Sequence, residues 1–226
     1  MRARGYGENL QPREEIVEFE RLLQKLGGIS QVKVVGLARP ARIYVVATAA
    51  RADEEVIREV QEAGVEELGI MIDERAILVT RMEDGNQRPA SSRPILERVI
   101  TTDMKGAAWI KVVLAWPNGD VTEGVAPVEP AREGRAKGAV AAGIMALEPI
   151  LSQRSARIYI DHVLVNQVGP KESVMVASVF QENGSGTPVV GSALAHDDLS
   201  SAAVRALLHS INRKLEDFGR HLPTGA

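Results

Sequence analysis

The chain has 226 residues, of which 45% are hydrophobic and 25% charged, with a net charge of −3 and no cysteine. This is an ordinary globular balance, and the length suits one large or two small domains. Disulfides, thiolate nucleophiles and zinc–thiolate sites are excluded. The lack of a basic excess, with aromatics at 4%, argues against a nucleic-acid surface. No apolar run approaches the roughly 18 residues of a membrane span. The opening MRARGYGENLQPREE lacks the apolar core of a secretory signal. A cytoplasmic protein with no nucleic-acid or membrane partner and no cofactor is expected.

After a polar tail, Ile16, Phe19, Leu22, Leu23 and Leu26 fall at helical spacing, and Gly27-Gly28 supplies a stop. The runs QVKVV (31–35) and RIYVVATA (42–49) read as strands joined through a turn containing Pro40. Asp53 is placed to cap a second helix whose first turn carries Glu54 and Glu55, the arrangement the helix dipole favours. Val56, Ile57, Val60 and Leu68 form its buried stripe, Gly69 ends it, and AILVTRM (76–82) is a third strand. The order αββαβ predicts a small sheet with helices on one face. EDGNQRPASSRP (83–94) combines Gly, Pro, Ser and charge without periodicity, which marks a linker. The expected organisation is an N-terminal unit over 1–82, a linker over 83–93 and a second domain over 94–226.

Beyond the linker the pattern repeats. PILERVIT (94–101), AAWIKVVLAW (107–116), a turn at Pro117-Asn118-Gly119-Asp120, VTEGVA (121–126) and the alanine-rich stretch 131–151 read as βββα. RIYIDHVLV (157–165), ESVMVASVFQ (172–181), a turn at 182–186, TPVVGSAL (187–194) and the helix 198–217 read as βββα again. Gly124 and Gly191 occupy matching places near the end of the third strand, and Glu97-Arg98-Val99 matches Asp161-His162-Val163. The fold class expected is α+β, an N-terminal αββαβ unit followed by a duplicated, pseudo-two-fold βββα domain.

These residues carry a resemblance. VLVNQVGPKESVMVASVFQENG, Gly191-Ser192-Ala193 and Asp197-Asp198-Leu199, with Ala202, Ala203, Ala206 and Asn212 in the following helix, resemble the C-terminal regulatory, dimer-forming domain of the 2-isopropylmalate and citramalate synthase family. That family's Gly-x-Gly-Pro-Val-Asp-Ala loop appears here as Gly124-Val125-Ala126-Pro127-Val128-Glu129-Pro130-Ala131, with an alanine for the second glycine. The resemblance implies two βββα units, a homodimer, and a small amino acid or organic acid as ligand. Synthase activity is not implied, because no stretch remains for a barrel of about 250 residues.

Among chemical candidates, His196-Asp197-Asp198 has metal-binding donor types. The first unit has Glu129 and no histidine at the matching place, so the repeated feature is an acidic helix start, and capping is expected. Asp161 and His162 are strand neighbours and point to opposite faces, which leaves His162 as a surface histidine. His209 and His221 have no partner recognisable in the sequence. No serine lies in a Gly-x-Ser-x-Gly elbow, and Gly184-Ser185-Gly186 lacks the Lys-Ser/Thr of a phosphate loop. No catalytic or metal-binding residue is therefore assigned.

Gly134, Gly138 and Gly143, among alanines, make the first long helix small-faced. Glycine within a helix costs about 1 kcal/mol relative to alanine, so either another backbone or a ligand comes very close there or the glycines let the helix sit tight on its own sheet, and symmetric self-association is one use of such a face. The ligand-binding candidates are Ala126, Pro127, Val128, Glu129, Asp197 and Asp198, where unsatisfied helix N–H groups receive a carboxylate and the acids an ammonium group. A non-catalytic regulatory or ligand-sensing homodimer is the reading this supports; a structural or assembly protein using the second domain only to oligomerise is the alternative.

Overall fold

A computed structural model describes residues 12–35, 42–48, 51–81, 93–104, 106–196 and 198–219. The chain is α+β, with three separate three-stranded sheets, and divides into two compact units, residues 1–79 and 80–226. The expected Pro40 turn, residues 83–92 of the expected linker and His221 lie outside the described residues.

In the N-terminal unit, helix α1 (Pro12–Leu23) precedes strands β1 (Ile29–Val35) and β2 (Arg42–Ala47), helix α2 (Asp53–Leu68) and strand β3 (Ile77–Arg81), in sheet order β1-β2-β3. Every other strand residue faces the helices: Val32 and Val34 from β1, and Ile43, Val45 and Ala47 from β2, meet Phe19, Leu23, Val56 and Val60. Gly69 closes α2 in the left-handed conformation, its N–H donating to the carbonyl of Val65. Asp53 does not cap α2. The N-cap is Ala52, which makes no side-chain bond, and Arg51 anchors the helix start instead. Its Nη1 lies 2.9 Å from Glu59 Oε2 and also reaches the Gly27 carbonyl. This pairing holds the Glu59 carboxyl below its ordinary value, first through the hydrogen bond from Arg51.

The C-terminal unit follows the order β4 (Ile95–Met104), β5 (Ala107–Ala115), β6 (Val121–Pro127), α3 (Arg132–Gln153), β7 (Ala156–Val168), β8 (Lys171–Glu182), β9 (Ser185–Ala195), α4 (Leu199–Gly219). Each triplet of strands is an antiparallel meander. One buried cluster joins the inward residues of both sheets to both helices, with Val112 and Leu114, Val174 and Val176, Leu147 and Leu207 among its members. The hairpin turns differ in kind. Asn183 and Gly184 form a two-residue turn, both with positive φ, as Asn-Gly favours. Before β6 the loop has three residues: Gly119 donates to the Trp116 carbonyl and Trp116 to that of Asp120.

The two passes share two geometric details. Each first strand carries a bulge, at Glu97 between Leu96 and Arg98, and at Asp161 between Ile160 and His162. Each third strand presents a glycine to its helix. A Cβ at Gly124 would strike the Ala142 carbonyl and the Ala146 nitrogen; one at Gly191 would strike the Ala206 carbonyl and the Ser210 nitrogen. The bulge also corrects the alternation argument for His162. Ile158 and Ile160 face the core before it, Val163 and Val165 after it, so the two faces exchange at Asp161-His162. His162 is half-buried.

Because helix backbone cannot yield to a methyl group, Gly124→Ala and Gly191→Ala should each destabilise the protein by about 3 kcal/mol in urea unfolding. Gly27→Ala, at an exposed position with open space around it, should change stability by less than about 0.5 kcal/mol. Glu59 titrates lower in the folded chain than in the unfolded one, so its contribution is complete above the usual carboxylate pKa of about 4.3 and is lost as pH falls through the folded value. Melting curves from neutral to acidic pH should therefore show a shallower acid-side loss in Glu59→Gln than in the parent chain.

Candidate functional site

The residues pointed to by the sequence sit at the starts of α3 and α4. The route to α3 leaves β6 at Pro127 and folds back along the helix. Val128 donates to the Ala108 carbonyl at 2.9 Å. The Val128 side chain and the Pro127 carbonyl lie over Gly138, and Glu129 lies over Gly134. Gly143 is overlain by Leu207 of α4. The small face of α3 is thus filled from within the chain, by its own entry loop and by the second helix. Neither a ligand nor another copy is needed to explain the three glycines.

The six candidates have different surroundings. Ala126 is 2% exposed and belongs to the apolar cluster, so its methyl group faces the core. Val128 is half-buried, and Pro127 and Glu129 are exposed. Glu129 is not a cap: the N-cap of α3 is Ala131, without a side-chain bond. Asp197 lies outside the described residues. Asp198 is the cap of α4. Its Oδ2 accepts from the Ser201 N–H at 2.8 Å and from the Ser201 hydroxyl at 2.9 Å, and its carbonyl accepts from the Ala202 N–H.

Ion pairing brings the two helix starts to one end of the unit. Arg132, in the first turn of α3, pairs with Glu172 at the start of β8. Glu172 lies opposite Ala195 at the end of β9, three residues before the cap Asp198. Beside it, Lys171 Nζ and His196 Nδ1 are 3.4 Å apart. Arg132, Lys171 and Glu172 complete this polar end and were not singled out from the sequence. They are ordinary charged residues there, and only the seating of α3 and the register of β8 against β9 bring them to the helix starts.

The contacts at this end are a cap and an ion pair. Glu172 is committed to Arg132 and Asp198 to Ser201, while Glu129 and the first-turn N–H groups of α3 have no side-chain cap. The Ser201 hydroxyl donates to the Asp198 carboxylate, as a residue in a helix first turn does. Among the described residues, no group of three or more His, Asp and Glu side chains is placed to hold a metal ion.

His209 gains a structural partner. From α4 its Nδ1 lies 3.4 Å from the Ser192 N–H and 3.1 Å from the Ser192 carbonyl. Two cavities lie away from the helix starts. One of about 340 Å³ runs beside α2, between Arg58, Gln61, Val65 and Met71. The other, about 390 Å³, is lined by Glu148, Ser152, Arg157 and Gln181. There the Tyr159 hydroxyl and, after it, the Glu148 carboxylate raise the pKa of Arg157.

No protein-family model and no curated protein matches the chain. No helix among the described residues is long and apolar enough to cross a membrane.

The two acidic helix starts make different demands and should respond differently to truncation. Asp198→Ala removes a formed cap and should lower stability by about 1 kcal/mol. Glu129→Ala removes an exposed carboxylate without a capping role and should stay within about 0.5 kcal/mol of the parent. Paired urea titrations check both.

Proposed function

We propose that this chain is a non-catalytic regulatory or small-ligand-sensing protein that acts as a homodimer, with a small amino acid or organic acid received at the starts of α3 and α4. The observation that carries this reading is the convergence of the two helix starts, linked by Arg132 and Glu172. Helix N-termini offer unsatisfied N–H groups and a positive potential to a carboxylate, and the α3 start has no side-chain cap competing for them. Glu129 supplies an exposed carboxylate for an ammonium group. The βββα order in both halves, with matching glycines and bulges, supports internal duplication and the likeness to the synthase regulatory domain.

The alternative is an assembly protein whose second unit serves only to oligomerise. The engagement of Asp198 by Ser201 favours it, since that carboxylate is already used within the chain.

A thermal-shift screen over amino acids and short organic acids separates the two. Binding to the native state alone stabilises it by about 2.7 kcal/mol at a ligand concentration of 100 Kd, so a true ligand raises the melting temperature in a saturable manner. That shift should be lost in Glu129→Ala with folding preserved. A chain whose melting temperature ignores every compound is an assembly module instead.

A further inference from the structure

Two of the chain's asparagines precede glycine, Asn118 and Asn183, and both stand on exposed hairpin turns. In this pairing the side-chain amide carbon of asparagine lies within reach of the next main-chain nitrogen, and glycine sets no side chain in the path of attack. Crowding does not separate the two turns, because a Cβ added at Gly119 or at Gly184 would meet nothing within 4 Å.

Hydrogen bonding does separate them. Asn118 Nδ2 donates to Asp120 Oδ2 at 2.7 Å, and Asn118 Oδ1 accepts from the Asp120 N–H at 3.1 Å. The Gly119 N–H, which carries the attacking nitrogen, donates to the Trp116 carbonyl at 2.9 Å. Both reactants of that turn are thus engaged. At the other turn, no group among the described residues bonds the Asn183 amide, and the Gly184 N–H meets no backbone carbonyl.

Asn183 and Gly184 lie at φ 51° and 80°, in a two-residue turn closed by Glu182 and Ser185. Attack requires rotation about ψ of Asn183, so it proceeds through local opening of the hairpin tip, where opening is easiest. The Asn118 turn must break three further bonds before the same attack, and each slows the reaction by roughly fivefold.

We propose that Asn183 is a site of self-modification, losing its side-chain amide to the Gly184 nitrogen in the folded chain while Asn118 is held back. The Gly184 nitrogen gives up its proton and bonds to Asn183 Cγ. The Cγ–Nδ2 bond breaks, and ammonia leaves with the proton. Water then opens the five-membered imide at either carbonyl, giving aspartate or, through the main-chain carbonyl, isoaspartate; nothing is oxidised or reduced. Either product adds one negative charge to the net −3 of the chain, beside the cavity that Gly184 lines with Arg157 and Gln181. Isoaspartate also lengthens the main chain within a turn whose length fixes the β8–β9 register.

Peptide mapping by mass spectrometry tests this on the full chain, incubated at mildly alkaline pH with and without guanidinium chloride. In the folded chain the Asn183 peptide should gain the mass of an acid in place of an amide about a hundredfold faster than the Asn118 peptide. In denaturant the two should convert at similar rates, because the bonds that distinguish them are gone. Asp120→Ala, with unchanged circular dichroism, should bring Asn118 into reaction in the folded chain while leaving the Asn183 rate as it was. Equal rates at the two sites in the folded parent overturn the proposal. So does an Asn183 that converts in denaturant and stays intact when folded, whether or not the Asp120 variant folds.

Discussion

The C-terminal unit depends on one contact made twice: a strand glycine laid directly on helix backbone. At Gly124 and Gly191 a Cβ would strike a helix carbonyl and the nitrogen four residues on. Any side chain there would push the helix away from its sheet. With none, Ala139, Ala142, Ala202 and Ala206 pack into the core as methyl groups, and the large residues Leu147, Leu207 and Ile211 fill the space beside them. Close packing of this kind leaves little room for adjustment. The register of each helix along its sheet follows from these contacts, Ala142 and Ala146 lying over Gly124 and Ala206 and Ser210 over Gly191.

That register also determines what lies at the rims of the sheets. Since Ala206 is over Gly191, His209 falls at the edge of β9 and meets Ser192. Since Ala142 is over Gly124, Met145 falls at the edge of β6. The same geometry closes one edge with a polar side chain and flanks the other with an apolar one. The core records a second difference. Leu114 pairs with Leu96 beside the first bulge, while Ser178 pairs with Ile160 beside the second. Ser178 is fully buried, and its hydroxyl has no hydrogen-bond partner among the described residues, an arrangement that disfavours folding. The halves share a backbone plan and differ in its side-chain completion.

At the polar end, electrostatics ties together segments that are distant in the chain. Arg132 and Glu172 belong to different βββα passes, and their pairing joins the start of one helix to the sheet that precedes the other. A charge pair at the surface adds little stability by itself. Its larger effect is positional, since it holds the uncapped start of α3 beside the capped start of α4.

The sequence by itself determined the elements and their order. Apolar periodicity, the Asn183-Gly184 turn and the stop at Gly69 are local signals, and each acts through the backbone conformations of neighbouring residues. It also determined the acidic start of α4, because a cap needs only its own first turn. Where a local rule had competitors, tertiary structure decided: Asp53 lost the capping place at α2 to an arrangement built on Arg51, Gly27 and Glu59. Strict alternation predicted opposite faces for Asp161 and His162, and the bulge reset it. The roles of Gly134, Gly138 and Gly143 were decided by what folds over them, the entry loop and α4. The meeting of Arg132 with Glu172 and the partner of His209 were likewise invisible in the sequence. Each depends on strand register and helix seating, distances between residues far apart in the chain that no local pattern encodes.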